Sequence, residues 1–419
     1  PEMIYAFARE IRRGGGRVLL VDRLMCAVTG PLRGLMCPLA GPGRGVKKWA
    51  RSMGTWLTRQ NPIEQLAENL YLGRAVIGLD DRFARRHPMT MALNRRMLAG
   101  QVGSMVRRLG LDQGPLVTWF HHPFWEHYAG IVHESLRVYE CYDQHTASGG
   151  HLNSAMVRSA EEKLFAQVDL VFTTSRGLLE SKRAYHGRIY HVPNAANVEF
   201  FQKVQDPAQP VDPAYAALPR PVVGYLGNIG NDLDLGLIRY LAETKPAWTV
   251  VLVGKVDQRR TAQTEDFQSL MRLPNVRLAG WATGVRLLSI CKAFDVCLIP
   301  YRSDSEFNRF RNPNKMYEYT AMGKPIVVHG AVEVDSYREI IRISRTREEF
   351  IGAIEEAYTT DSPLRIAERL RIARQNTWEA RVREMVEHVR KLIPESRQSL
   401  PSPIVEARAV SRAGTACRG

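Results

Sequence analysis

Short apolar runs and amphipathic stretches alternate along the first half of the chain. Residues 2–13 predict a helix that Gly14-Gly15-Gly16 ends, and Arg17-Val18-Leu19-Leu20-Val21 follows as a short strand. A helix ahead of a buried strand implies a further strand before Pro1, so the first strand–helix unit is expected to be cut short. Pro1 in place of a methionine agrees with that expectation. Residues 24–60 are rich in Gly and Pro and predict no regular element. Helices are predicted over 91–109, 154–167 and 176–186, and strands over 116–120, 136–141, 168–172 and 188–192. Strands alternating with helices at this spacing argue for a parallel sheet covered by helices.

Residues 205–221 interrupt the pattern with Pro207, Pro210, Pro213, Pro219 and Pro221, which marks a linker. The alternation then restarts. Strands are predicted over 222–226, 248–253, 275–279, 295–299 and 325–328, with helices over 234–243, 284–293 and 314–322. Three helices follow, over 346–359, 363–374 and 378–392. The expected organisation is an N-terminal Rossmann-like domain (1–204), a linker (205–221), a second Rossmann-like domain (222–375), a crossover helix (376–394) and a disordered tail (395–419). Doubly wound sheets bind ligands outside the carboxyl ends of their strands, so two facing lobes place a cleft there.

Composition narrows the class. Hydrophobic residues make up 45% and charged residues 24% of the 419, the balance of a globular protein. No run of 18 apolar residues predicts a spanning helix. Six cysteines form no C-x-x-C pair and no zinc spacing; Cys141, Cys291 and Cys297 lie in apolar runs as reduced, buried thiols, which favours the cytosol. The net charge of +15 is uneven, with 17 Lys/Arg against 7 Asp/Glu in the first hundred residues. That basic lobe suits an anionic acceptor or the anionic inner face of the cell membrane, with a plain solvated surface as the alternative. No nucleic-acid motif accompanies it, so nucleic acid is not an expected partner.

The segment with most chemistry is Asn312-Pro313-Asn314-Lys315-Met316-Tyr317-Glu318-Tyr319-Thr320-Ala321-Met322-Gly323-Lys324-Pro325. Pro313 and Asn314 start a helix and Gly323 ends it. A helix start offers backbone N–H groups and a positive dipole end to a phosphate. Lys315 in the first turn conflicts with that dipole, and a bound anion removes the conflict. Glu318 lies on the same face, where a carboxylate can accept two ribose hydroxyls.

This pattern resembles the nucleotide-binding helix of GT-B glycosyltransferases. The resemblance continues through Gly224-Tyr225-Leu226-Gly227-Asn228, Val250 to Gly254, Leu273 to Gly280, and Phe294 to Tyr301. The relatives it suggests are bacterial exopolysaccharide and teichuronic-acid glycosyltransferases, including xanthan-type glucuronosyltransferases. The resemblance implies a GT-B fold: two Rossmann-like domains facing across a cleft, with C-terminal helices, of which the one at Trp378 crosses back to the first lobe. It also implies donor-binding roles. Gly227 and Asn228 would form the loop near the phosphates or sugar; Gly254, Trp281 and Tyr301 would border the base. Asn314 and Lys315 would hold the diphosphate and Glu318 the ribose. Retaining members carry two glutamates eight positions apart, but Phe310 stands eight before Glu318. The anomeric outcome therefore stays open.

The first lobe should hold the acceptor and, in an inverting enzyme, a general base. Asp143, two residues beyond the strand ending at Cys141, fits that role. Tyr139-Glu140-Cys141-Tyr142-Asp143 resembles the Tyr-Asp-x-x-Asp segment of these relatives, with Glu140 in place of an aspartate. His121 and His122 end another strand and are expected to meet acceptor or donor sugar. Asp232-Leu233-Asp234 spells D-x-D, but Asp234 precedes a helix and reads as its N-cap. No metal site and no cofactor are expected, and the diphosphate charge falls to Lys315 and the helix end. The expected function is transfer of a sugar from a nucleoside-diphosphate sugar, UDP preferred and GDP open, to a saccharide or lipid-linked saccharide. The alternatives are a sugar-nucleotide epimerase of the same architecture and a non-catalytic nucleotide-binding or membrane-docking protein.

Overall fold

The computed structural model describes residues 2–26, 61–79, 84–147, 154–330, 333–393 and 404–407. Two sheets organise them. The first contains β1 (Val18–Cys26), β2 (Ile63–Ala67), β3 (Leu70–Ile77), β4 (Val117–Phe120), β5 (Leu136–Cys141), β6 (Leu170–Thr173) and β7 (Ile189–His191). The second contains β8 (Val222–Leu226), β9 (Thr249–Val253), β10 (Val276–Gly280), β11 (Val296–Pro300), β12 (Ile326–His329) and β13 (Ile341–Ser344), in the order β10-β9-β8-β11-β12-β13. Every pairing in the second sheet is parallel, so each strand returns through a crossover. Its strands β9 and β11 are buried at every position, as expected where helices cover both faces.

One strand corrects the expectation for the tail. Ile404–Ala407 is β14, and it lies inside the first sheet, whose order is β2-β3-β1-β14-β4-β5-β6-β7. Ile404 pairs in parallel with Val18 of β1 on one side and with Val117 of β4 on the other. The physical reason is backbone pairing: β1 and β4 each need a neighbour on that side, and a four-residue β-former supplies both ladders. The remainder of the expected tail lies outside the described residues, as do most of residues 24–60.

The first sheet is packed on both faces. On one, Met3, Ile4 and Phe7 of helix Glu2–Arg12 meet Val382, Met385, Val386 and Val389 of helix Trp378–Leu392 over Val18, Val117 and Val138. The last long helix therefore packs on the first lobe. On the other face, Leu98, Val102 and Met105 of helix Pro88–Arg108 pack with Leu164 and Phe165 of helix Ser154–Phe165. The second lobe has a single large core that includes Phe294, Tyr319 and Phe350.

Caps confirm several starts read in the sequence. Asp234 accepts a hydrogen bond from the Leu237 N–H at 2.7 Å and begins helix Leu235–Thr244, which fixes its role as an N-cap. Cys141, Cys291 and Cys297 are free, buried thiols. Among the described residues no helix is long and apolar enough to cross a membrane.

Candidate donor and acceptor site

The donor side is built around helix Asn314–Ala321. Pro313 occupies the N-cap and no side chain caps the helix start. The helix is anchored at its centre: Tyr319 Oη accepts from the Leu226 N–H at 2.8 Å and donates to the Leu298 carbonyl at 3.3 Å. This ties the helix to the carboxyl ends of β8 and β11. Gly323, at φ +66°, ends it in the left-handed region.

Lys315 lies against the loop that follows β8. A Cβ on Gly227 would come within 2.6 Å of Lys315 Nζ, and Gly227 has φ +143°, so only glycine leaves both the backbone and the lysine in place. Lys315 Nζ donates to Tyr301 Oη at 3.3 Å. Burial works against its charge, yet the Tyr225 and Tyr301 oxygens hold it above the ordinary lysine value. It is therefore a cation at any physiological pH. Glu318 is half-buried one turn along; burial pushes its carboxyl up while Lys315 opposes the shift. Asn314 is exposed at the helix start, and exposed Asn228 follows Gly227.

Three residues expected to border the base take other positions. Gly254 stands behind the loop: a Cβ there would come within 1.8 Å of the Gly227 carbonyl oxygen, so it permits backbone contact between two loops. Tyr301 is only 1% exposed and underlies Lys315, so it supports the cation and does not line a base pocket. Trp281 is 48% exposed on the rim, with Lys255 Nζ 4.5 Å from its ring centre.

Across the cleft, Asp143 follows β5. Burial pushes its carboxyl up to about 6; Arg311 of the second lobe opposes that shift and Asp232 adds to it. These two residues bring the carboxyl ends of both sheets to one place. Below the loop, Lys182 Nζ donates to Glu161 Oε2 at 2.6 Å and Tyr139 Oη to Glu161 Oε1 at 2.9 Å, a buried network that fixes the end of β5. Glu140 is turned into the core, where it accepts from Trp119 Nε1 at 3.0 Å and lies 3.1 Å from His121 Nδ1. His121 is consequently buried behind the cleft surface, a correction to its expected sugar contact. His122 is half-buried, and its Nδ1 accepts from the Phe124 N–H at 3.1 Å. Its ring lies 4.9 Å from that of His145, which burial holds well below the ordinary histidine value and so neutral.

The lobes meet beside this site. The Asn194 N–H donates to Asn312 Oδ1 at 3.0 Å, and Asn194 Nδ2 to the Asn312 carbonyl at 2.7 Å. The Gly177 N–H donates to Glu333 Oε1 at 2.9 Å. Phe310 packs against Gly177, where a Cβ would approach its ring at 3.1 Å.

Two facing doubly wound lobes with a nucleotide-type helix at the cleft have counterparts among solved structures. Sucrose-phosphate synthase from Thermosynechococcus elongatus superposes with a TM-score of 0.59 at 14% identity, covering 90% of this chain and 99% of that one. Anabaena HepE, solved in complex with UDP and glucose, gives 0.57 at 13% identity, with 90% and 100% covered. The α,α-trehalose 6-phosphate synthase from Burkholderia multivorans gives 0.58 at 12%, with 90% and 99% covered. The chain has the GT-B fold. Within it, residues 220–360, which hold the whole second sheet, match the family model for glycosyl transferases group 1. The Bacillus subtilis (strain 168) protein TuaH, named as a teichuronic acid biosynthesis glycosyltransferase, is 28% identical to this GT-B chain over 221 residues. That match covers 50% of this chain and 54% of TuaH, so the chain spans about half the length of that relative.

The sequence reading missed Arg311, Asp232 and Tyr225 as site residues. Asp232 and Arg311 lie in polar loops whose only signal was closeness to the glycine loop and to Lys315.

Proposed function

We propose that this protein is a glycosyltransferase that moves a sugar from UDP-sugar to a saccharide or lipid-linked saccharide during polysaccharide assembly. The observation that carries the reading is Lys315 seated against Gly227 at an uncapped helix start. A buried cation beside free backbone donors suits a diphosphate. Glu318 receives the ribose. The UDP in the titles of GT-B neighbours and the name of TuaH support the donor and pathway assigned here.

Asp143 supplies the base. Its carboxylate takes the proton of the acceptor hydroxyl as that oxygen forms a bond to the anomeric carbon. The bond from that carbon to the diphosphate breaks, and its electron pair leaves on the phosphate oxygen beside Lys315. Attack opposite the leaving group inverts the anomeric centre. Phe310, in the place where retaining relatives carry a first glutamate, supports that choice. The basic first lobe is assigned to a cytoplasmic anionic membrane surface where a lipid-linked acceptor would reside.

Calorimetry with UDP and GDP tests the donor site. UDP should bind, and Lys315→Ala should weaken it at least about tenfold, the value of one charge-assisted contact. Asp143→Asn should retain UDP affinity and lose transfer. Absence of binding by either nucleotide would remove the donor reading.

A further inference from the structure

Lys315 has a cationic neighbour with few interactions of its own. The Arg311 guanidinium is sandwiched, with its carbon 4.9 Å from the Tyr301 ring centre and 5.1 Å from that of Phe307. Its closest carboxylate is Asp232 Oδ2 at 3.6 Å, longer than the roughly 2.7–2.9 Å of a charge-assisted hydrogen bond. Among the described residues its side chain donates no hydrogen bond, and only 26% of it is exposed. A guanidinium has five donors, and stacking on aromatic rings fixes its plane without using them.

The location gives those donors a target. Tyr301 underlies both cations, since Lys315 Nζ is 5.7 Å from the centre of the same ring. Lys315 in turn touches the Gly227 loop. Two cations supported by one buried tyrosine, beside a glycine loop and a helix start, need an anion with more than one oxygen. A loose pair with half-exposed Asp232 does not meet that need; a diphosphate does.

We propose that Arg311 is the second cation of the donor diphosphate site, leaving Asp232 for the phosphate oxygens when the nucleotide sugar enters. The inference rests on the donor site proposed above and adds to it a residue that separates the diphosphate from the rest of the nucleotide. Arg311 then sets the preference for a diphosphate over a nucleoside, while Glu318 holds the ribose irrespective of it.

The test is calorimetry on the full chain with UDP and with uridine at one ionic strength, using R311Q and R311K. R311Q should weaken UDP at least about tenfold and leave uridine within about twofold. R311K, which keeps the charge and loses the fork, should lie between, at about threefold. Equal losses for UDP and uridine would show a structural role and overturn the proposal, as would unchanged UDP affinity. If R311Q does not fold, R311K decides: a threefold loss confined to UDP supports the assignment and no loss overturns it. Wild-type binding of UDP with R311Q equally tight removes Arg311 alone. Failure of the wild type to bind UDP or GDP removes the donor site, and Arg311 with it.

Discussion

At the scale of single residues, burial and a facing cation set the working pH. Asp143 must be ionised to accept a proton, and its carboxyl lies at about 6 because burial outweighs Arg311. Transfer should therefore be constant above pH about 6 and fall about tenfold per unit below it, measured as kcat/KM against pH. The groups acting on Asp143 are Arg311, which lowers its value, and Asp232, which raises it. R311Q should thus move the acid limb to higher pH, and Asp232→Asn to lower pH. Gly227 gives a second prediction. An alanine there meets Lys315 and keeps a φ of +143°, which costs about 1–3 kcal/mol in backbone strain. Gly227→Ala should raise the UDP dissociation constant at least about tenfold by calorimetry, and an unchanged constant would show that the loop has other freedom. Lys315 and Glu318 were legible in the sequence because a cation in a first turn breaks the dipole rule. Arg311 was not, because an arginine in a polar loop breaks no rule until its two aromatic neighbours are known.

At the scale of elements, periodicity found those that bury one face or both. The helix at 378–392 and strands β9 and β11 fall where their apolar patterns place them. Strand β2 was missed because Ile63–Ala67 buries no position fully, so its sequence lacks clean alternation. Strand β14 was missed for a different reason: four residues in a polar tail carry too little pattern to be told from a loop. Its importance comes from position. A proline cannot donate to a ladder, and β14 has a neighbour on each side. Val405→Pro should destabilise the first lobe by about 3 kcal/mol, seen as an earlier transition in calorimetric melting, while UDP still protects the second lobe. A melting profile unchanged by V405P would show that β14 contributes nothing to the sheet.

At the scale of the whole molecule, the two lobes are held by a few contacts beside the cleft. Glu333 reaches from the second lobe to the N–H of Gly177, at the start of helix Arg176–Lys182. A carboxylate there also meets the positive end of the helix. Glu333→Ala should lower kcat/KM about five- to tenfold by loosening the lobes, with UDP affinity unchanged, because the proposed nucleotide contacts all lie on the second lobe. A loss of UDP affinity in that variant would place Glu333 in the donor site itself. The route of the chain between the lobes also bears on how the protein is made. The second sheet, residues 222–344, lies between segments that both belong to the first. A ribosome releasing the chain from its N-terminus thus completes the nucleotide lobe before the acceptor lobe can close, because helix Trp378–Leu392 and β14 emerge last. Until they arrive, β1 and β4 wait without the strand that joins them. The lobe begun first is finished second, and a chaperone that shields nascent strands has its longest task there.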